Sequence, residues 1–135
     1  GGLRKEYRME ETMRYFTYGG KSYYFDVSEV GCLTRLTGAL ERMEEERTER
    51  GGGEKEPAYA VIASFCESIL TFFENVFGKA AAVEICGEMQ SGEGCAAAFL
   101  AFVAFARAQT VAVEAAMAAA EADYAANAVA MGVIA

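Results

Sequence analysis

In TYGGKSYYFDV (Thr17–Val27) two glycines interrupt a run of aromatic and β-branched residues. Glycine adopts positive φ at little cost, as both centres of a tight two-residue hairpin turn require. The residues from Thr12 to Val27 are therefore expected to form two antiparallel strands around Gly19-Gly20. Tyr15 would then pair across them with the aromatics Tyr23, Tyr24 and Phe25. Two strands alone are marginal in water, so one sheet face has to be covered. Ser28 follows as an expected N-cap, with Glu29 favourably placed against the helix dipole. Beyond it Val30, Leu33, Leu36, Leu40 and Met43 recur at steps of three and four, which predicts a helix whose apolar stripe covers the hairpin. Gly31 and Gly38 each weaken that helix by roughly 1 kcal/mol relative to alanine, so packing must hold it.

The segment TERGGGEKEP ends the helix and reads as an exposed flexible linker. Pro57 is then expected at the first helical position. Val61, Phe65, Ile69, Phe72, Phe73, Val76 and Phe77 form a wide apolar stripe on a second helix, which also faces the hairpin and stops at Gly78. A short helix fits Lys79–Cys86, and GEMQSGEG is a loop in which Ser91 caps the last helix. From about Gly94 that helix is alanine-rich almost to its end. Phe99, Phe102, Val103 and Phe105 give it a bulky start, and Val111, Val113, Met117, Tyr124, Val129 and Met131 are scattered later among alanines. Arg107, Glu114 and Glu121, seven apart, mark one narrow polar stripe. A helix with so little polar surface is expected to be buried against several neighbours, the extra ones coming from other copies of the chain.

Strands precede helices, so the order is segregated rather than alternating. The expected fold is α+β, mainly α: an N-terminal β-hairpin packed on a bundle of three to four helices, ending in a long Ala-rich helix. Residues 1–11 read as a flexible arm, 12–109 as the hairpin and helical domain, and 110–135 as an extension for oligomer or partner packing.

A chain of 135 residues with net charge −8 lacks the clustered cations that a phosphate backbone or an anionic membrane surface demands. Neither nucleic acid nor membrane is therefore an expected partner. The acidity is uneven: 1–57 hold 10 basic and 12 acidic residues, net −2, and 58–135 hold 2 and 8, net −6. The longest uncharged apolar run, Cys95 to Ala106, is too short to span a bilayer, and no secretory signal opens the sequence. There is no histidine, which removes the commonest general base and metal ligand together. Cys32, Cys66, Cys86 and Cys95 form no C-x-x-C pair and read as reduced, buried, intracellular thiols.

No constellation carries chemistry. Glu67 and Glu74 lack the Glu-x-x-His partners of a bundle metal site, and Cys95, near a helix start, has no imidazole to pair with. GKSYY and FGKAA lack phosphate-loop spacing. No catalytic, cofactor or metal residue is expected, and the chain reads as a non-enzyme. What remains is apolar helical surface, and the candidate partner-binding residues are Phe65, Ile69, Phe72, Phe73, Phe77, Phe99, Phe102, Met117 and Tyr124.

Three stretches carry a family resemblance: GGKSYYFDVSEVGCLTRLTGALERMEEE, SFCESILTFFENVFGKAAAVEICGE and FLAFVAFARAQ. Their order, from hairpin through acidic helix to F-F-E-N-V-F-G and the closing helix, resembles small tail-associated proteins of tailed phages and prophages of Gram-positive bacteria. The resemblance covers roughly 13–109. It implies a tail assembly chaperone, a protein that binds the hydrophobic, helical tape-measure protein before the tail tube polymerises. It also implies a host-cytoplasmic location, with a virion-associated one as the alternative. The Ala-rich extension departs from that pattern and suggests a second reading, a structural subunit of a virion or filament-like homo-oligomer packed through its C-terminal helix.

Overall fold

The structure is a computed structural model that describes residues 9–50 and 56–132. The arm before Met9, the glycines of the expected linker and residues 133–135 lie outside the described residues. A short 3-10 turn, Glu11–Arg14, leads into β1 (Tyr15–Tyr18), which pairs antiparallel with β2 (Lys21–Tyr24). Four helices follow: α1 (Val30–Arg50), α2 (Ala58–Phe77), α3 (Lys79–Cys86) and α4 (Gly92–Ala130). The fold is mainly helical α+β with an N-terminal hairpin, as the sequence implies.

The hairpin closes through Gly19 and Gly20 at φ +60° and +80°, the left-handed pair that glycine tolerates. Tyr15 lies opposite Tyr24 with rings edge-on at 5.5 Å, and the Thr17 and Ser22 hydroxyls meet at 2.9 Å. Both strands are shorter than the expected span, because Thr12 belongs to the 3-10 turn and Asp26 bends the chain after β2. The buried Asp26 carboxylate accepts the Ser28 backbone N–H at 2.9 Å and the Ser28 hydroxyl at 2.5 Å. Ser28 is thus bound by a turn rather than acting as the helix cap, and α1 begins two residues later.

Helix α1 is rotated relative to the expected stripe. Val30, Leu33 and Leu40 face solvent, Val30 with 78% of its surface exposed, while Cys32 and Ala39 are buried and Leu36 and Met43 half-buried. These four inward residues step by four, three and four, so the helix is amphipathic about a neighbouring axis. It packs along α2 rather than over the hairpin. The small Ala39 side chain permits a close helix approach there. Polar links complete that contact: Ser68 donates to Glu46 at 2.6 Å and accepts from Arg50 at 3.2 Å. Arg35 Nε donates to the Val76 carbonyl at 3.2 Å, placing a cation at the C-terminal turn of α2.

Pro57 occupies the cap position itself, one residue earlier than expected, and its carbonyl accepts from Ala60 and Val61. Gly78 and Gly87, at φ +97° and +86°, stop α2 and α3. Ser91 caps α4 by accepting the Gly94 N–H at 2.9 Å.

The core is a stack of phenylalanines. Phe102 of α4 lies within 6 Å, ring to ring, of Phe16, Phe25, Phe72, Phe73, Phe77 and Phe105. These rings come from the hairpin, α2 and α4, so the aromatic hairpin is covered by α2 and α4. Helix α3 closes the side, where Lys21 pairs with Glu84 at 2.6 Å and the Tyr23 hydroxyl donates to the same carboxylate at 3.3 Å.

One polar side chain crosses this core. Gln109 is fully buried; its Nε2 donates to the carbonyls of Met13 and Phe25, and its Oε1 accepts the Val27 N–H at 3.0 Å. The amide therefore fastens α4 to the chain on both sides of the hairpin.

Candidate partner-binding surface

The sequence-derived surface residues divide sharply. Ile69, Phe72, Phe73 and Phe102 are sealed in the core, and Phe77 and Phe99 are half-buried against it. None of the four sealed residues can meet a partner without opening the domain, so the aromatic stripe of α2 is core. Phe65, at 37% exposed, sits at its rim. Met117 and Tyr124 are exposed, at 57% and 64%. The structure does not bring Phe65 together with these two: they lie on the second half of α4.

Among the described residues, that half is covered by little else of its own chain. Up to Gln109, α4 turns Cys95, Ala98, Phe102 and Gln109 into the domain. The helix then continues unbroken, and from Ala120 to Gly132 every residue except Ala128 is solvent-exposed. The inward face carries on at the same helical register as Val113, Ala116 and Ala120. Beside it, where α4 leaves the domain, lies a cavity of about 340 Å³ lined by Met9, Arg14, Ser28, Val113, Ala116 and Met117, among others. Met9, the first described residue, is buried here. Nothing in the local pattern around Met9 marked it as packed. Gln109 could have been found: it is a lone amide on the apolar face, one heptad after Phe102.

The charges nearest this groove are settled. Arg14 donates to Glu11 at 2.8 Å and to Asp26 at 3.3 Å, and its guanidinium is held further into its charged range, chiefly by Glu11. On the far side of the hairpin the Glu84 carboxyl is held below its ordinary value, first by its bond to Lys21. The Tyr24 phenol, bonded to Glu29, is pushed up to about 12. These are ion pairs and hydrogen bonds on the surface; Tyr23 and Tyr24 also line a second, open cavity of about 440 Å³ with Arg35 and Glu74. Among the described residues no group of three or more Cys, Asp or Glu side chains is placed to hold a metal ion.

The four cysteines are buried and unbridged. Cys66, Cys86 and Cys95, from α2, α3 and α4, lie near one another. Burial raises the Cys86 thiol and pushes Cys95 up to about 12, with the neighbouring thiols adding to the effect on Cys95. A thiol held neutral and dry is a poor nucleophile. In the native state at pH 8, a thiol-specific reagent should therefore modify these cysteines at least about a hundredfold more slowly than in denaturant. The sign of the pH effect follows. Unfolded, the Cys86 and Cys95 thiols ionise near about 8.5, whereas folded they hold their protons to higher pH, Cys95 to about 12, so stability falls as pH rises above about 8.5. Denaturant midpoints measured at pH 7 and pH 10 check it.

Helices α2 and α4 are both long and apolar enough to cross a membrane by length and composition alone. The sequence expectation, based on uninterrupted apolar runs, missed them because such a span tolerates one or two charges. In α2 the half from Cys66 to Val76 turns its apolar face into the core, whereas Tyr59, Val61, Ile62 and Phe65 nearer its start are exposed.

A hairpin fastened to a helical bundle, with one long helix running on beyond it, defines a small, mainly helical α+β domain. The chain belongs to a family of unknown function, DUF6673, whose pattern matches residues 19–128. The match takes in the hairpin turn and nearly all of α4. No curated protein and no solved structure matches the chain.

Proposed function

We propose that this chain is a non-enzymatic morphogenesis factor of tailed phages or prophages, a tail assembly chaperone that binds a hydrophobic, helical tape-measure protein in the host cytoplasm. The ordered resemblance over residues 13–109 supports the phage assignment. The observation that carries the binding role is the second half of α4: apolar, regular and left outside the core. A chaperone of this kind has to hold such surface in solution until its client arrives, and a net charge of −8 serves solubility meanwhile.

Co-expression with the tape-measure protein encoded beside it, followed by affinity purification, tests this. The expected result is a stoichiometric complex that persists when salt is raised, because apolar contacts are not screened. Absence of a complex at every salt concentration overturns the reading. Should the chain instead form a large homo-oligomer that collapses when residues 110–135 are deleted, it is a structural subunit.

A further inference from the structure

We infer that the groove at the exit of α4, together with the exposed seam beyond it, seats one partner helix whose apolar stripe is flanked by lysine and arginine. This rests on the reading of the chain as a helix-binding factor, though not on which protein supplies the helix.

Three features lead there. The first is spacing. Val113, Met117, Ala120, Tyr124, Asn127 and Met131 follow one another at steps of four and three, which places them on one line along α4. Such a line accepts the knobs of a second helix, and the 18 steps from Val113 to Met131, at about 1.5 Å each, give a contact of roughly 27 Å. The second is shape. At its root the seam is not a bare helix face: Val113, Ala116 and Met117 line a cavity together with Met9, Arg14 and Ser28. Two methionines in that lining give a surface that adapts to different apolar side chains.

The third feature, charge, selects the occupant. Between Thr110 and Gly132 the ionisable side chains with charge are Glu114, Glu121 and Asp123, and there is no lysine or arginine. Helical register puts Glu114 and Glu121 along one border of the seam and Asp123 along the other. Arg14 is already engaged with Glu11 and Asp26. An apolar line bordered by carboxylates on both sides complements a helix with basic flanks. It opposes a second copy of α4, whose own carboxylates would lie beside them.

The test uses the full chain and two synthetic 21-residue helices with the same leucine stripe, one flanked by lysine and arginine and one by glutamate, with binding read by fluorescence anisotropy. The basic helix should bind at least tenfold more tightly than the acidic one. Met117→Ser and Tyr124→Ser should each weaken it about tenfold with unchanged circular dichroism, since both side chains are exposed. Met89→Ser, at a 94% exposed residue before α4, should bind within twofold of the parent. Equal affinity for the two helices, or full binding by the Met117 and Tyr124 variants, overturns the inference. So does a concentration-dependent mass in sedimentation equilibrium that Met117→Ser abolishes, which makes a second copy the occupant, or co-sedimentation with phosphatidylcholine vesicles, which makes it a bilayer. If the serine variants still capture the tape-measure protein, this seat is wrong and the chaperone reading stands. If the parent binds the basic helix but captures no tape-measure protein, the reverse holds.

Discussion

Replacing Gln109 with leucine is expected to lower the free energy of unfolding by about 3–5 kcal/mol, measured by urea denaturation at pH 7. Leucine is close in volume, so the cost is not a void. It comes from three backbone groups, the carbonyls of Met13 and Phe25 and the N–H of Val27, that lose their partner together. Each buried polar group left unpaired costs about 1–3 kcal/mol, and the shallower ones recover part of that by hydration. Gln109→Glu separates hydrogen bonding from shape. An ionised carboxylate still accepts from Val27 but repels the two carbonyls, whereas the protonated acid can donate to one of them. Its folded pKa is thereby raised, so the variant's stability is present at low pH and lost as pH rises through that value. A Gln109→Glu protein less stable at pH 5 than at pH 8 would contradict this account of the amide.

Phe102→Ala should cost a similar amount, about 3–5 kcal/mol, for a different reason. Its ring is the meeting point of Phe16 of β1 and Phe25, just after β2, with the phenylalanines of α2 and α4, and it is 1% exposed. Truncation leaves a hole bounded by rigid rings on every side, which cannot collapse without moving the hairpin. Natural domains are stable by only about 5–15 kcal/mol, so this variant will stand close to its unfolding threshold at 37 °C. Phe102→Leu keeps much of the volume and should cost about 1–2 kcal/mol. Denaturant midpoints for the two variants, with the parent's slope retained, check both values. Equal losses for leucine and alanine would mean that the cavity is not the cause.

The hairpin was legible because glycine pairs and aromatic runs act locally, and the turn at Gly19-Gly20 needs nothing beyond its own backbone. The same is true of the Ser91 cap and the Gly78 stop. The orientation of α1 was not legible. Large side chains such as Leu33 and Leu40 dominate any apolar pattern, yet the inward line runs through Cys32 and Ala39, because proximity to α2 favours small residues there. The pairing of the hairpin with α4 was likewise out of reach, since it depends on an amide meeting backbone groups more than eighty positions away. As for the candidate surface, periodicity reports only that a face is apolar. Phe72 and Met117 obey the same rule, and the rest of the fold determines which one is consumed by the core.

Helix α4 joins two regimes in one continuous backbone. Its 39 residues make a rod of about 58 Å, clamped at its root and, among the described residues, mostly solvent-exposed toward its tip. Alanine favours helix, but an exposed helix end still frays, so amide exchange should quicken progressively from Phe105 toward Met131. A client lying along the tip would stiffen that end, and a stiff rod acts as a lever. Load applied at Tyr124 is delivered to the Gln109 clamp, and through it to both strands of the hairpin.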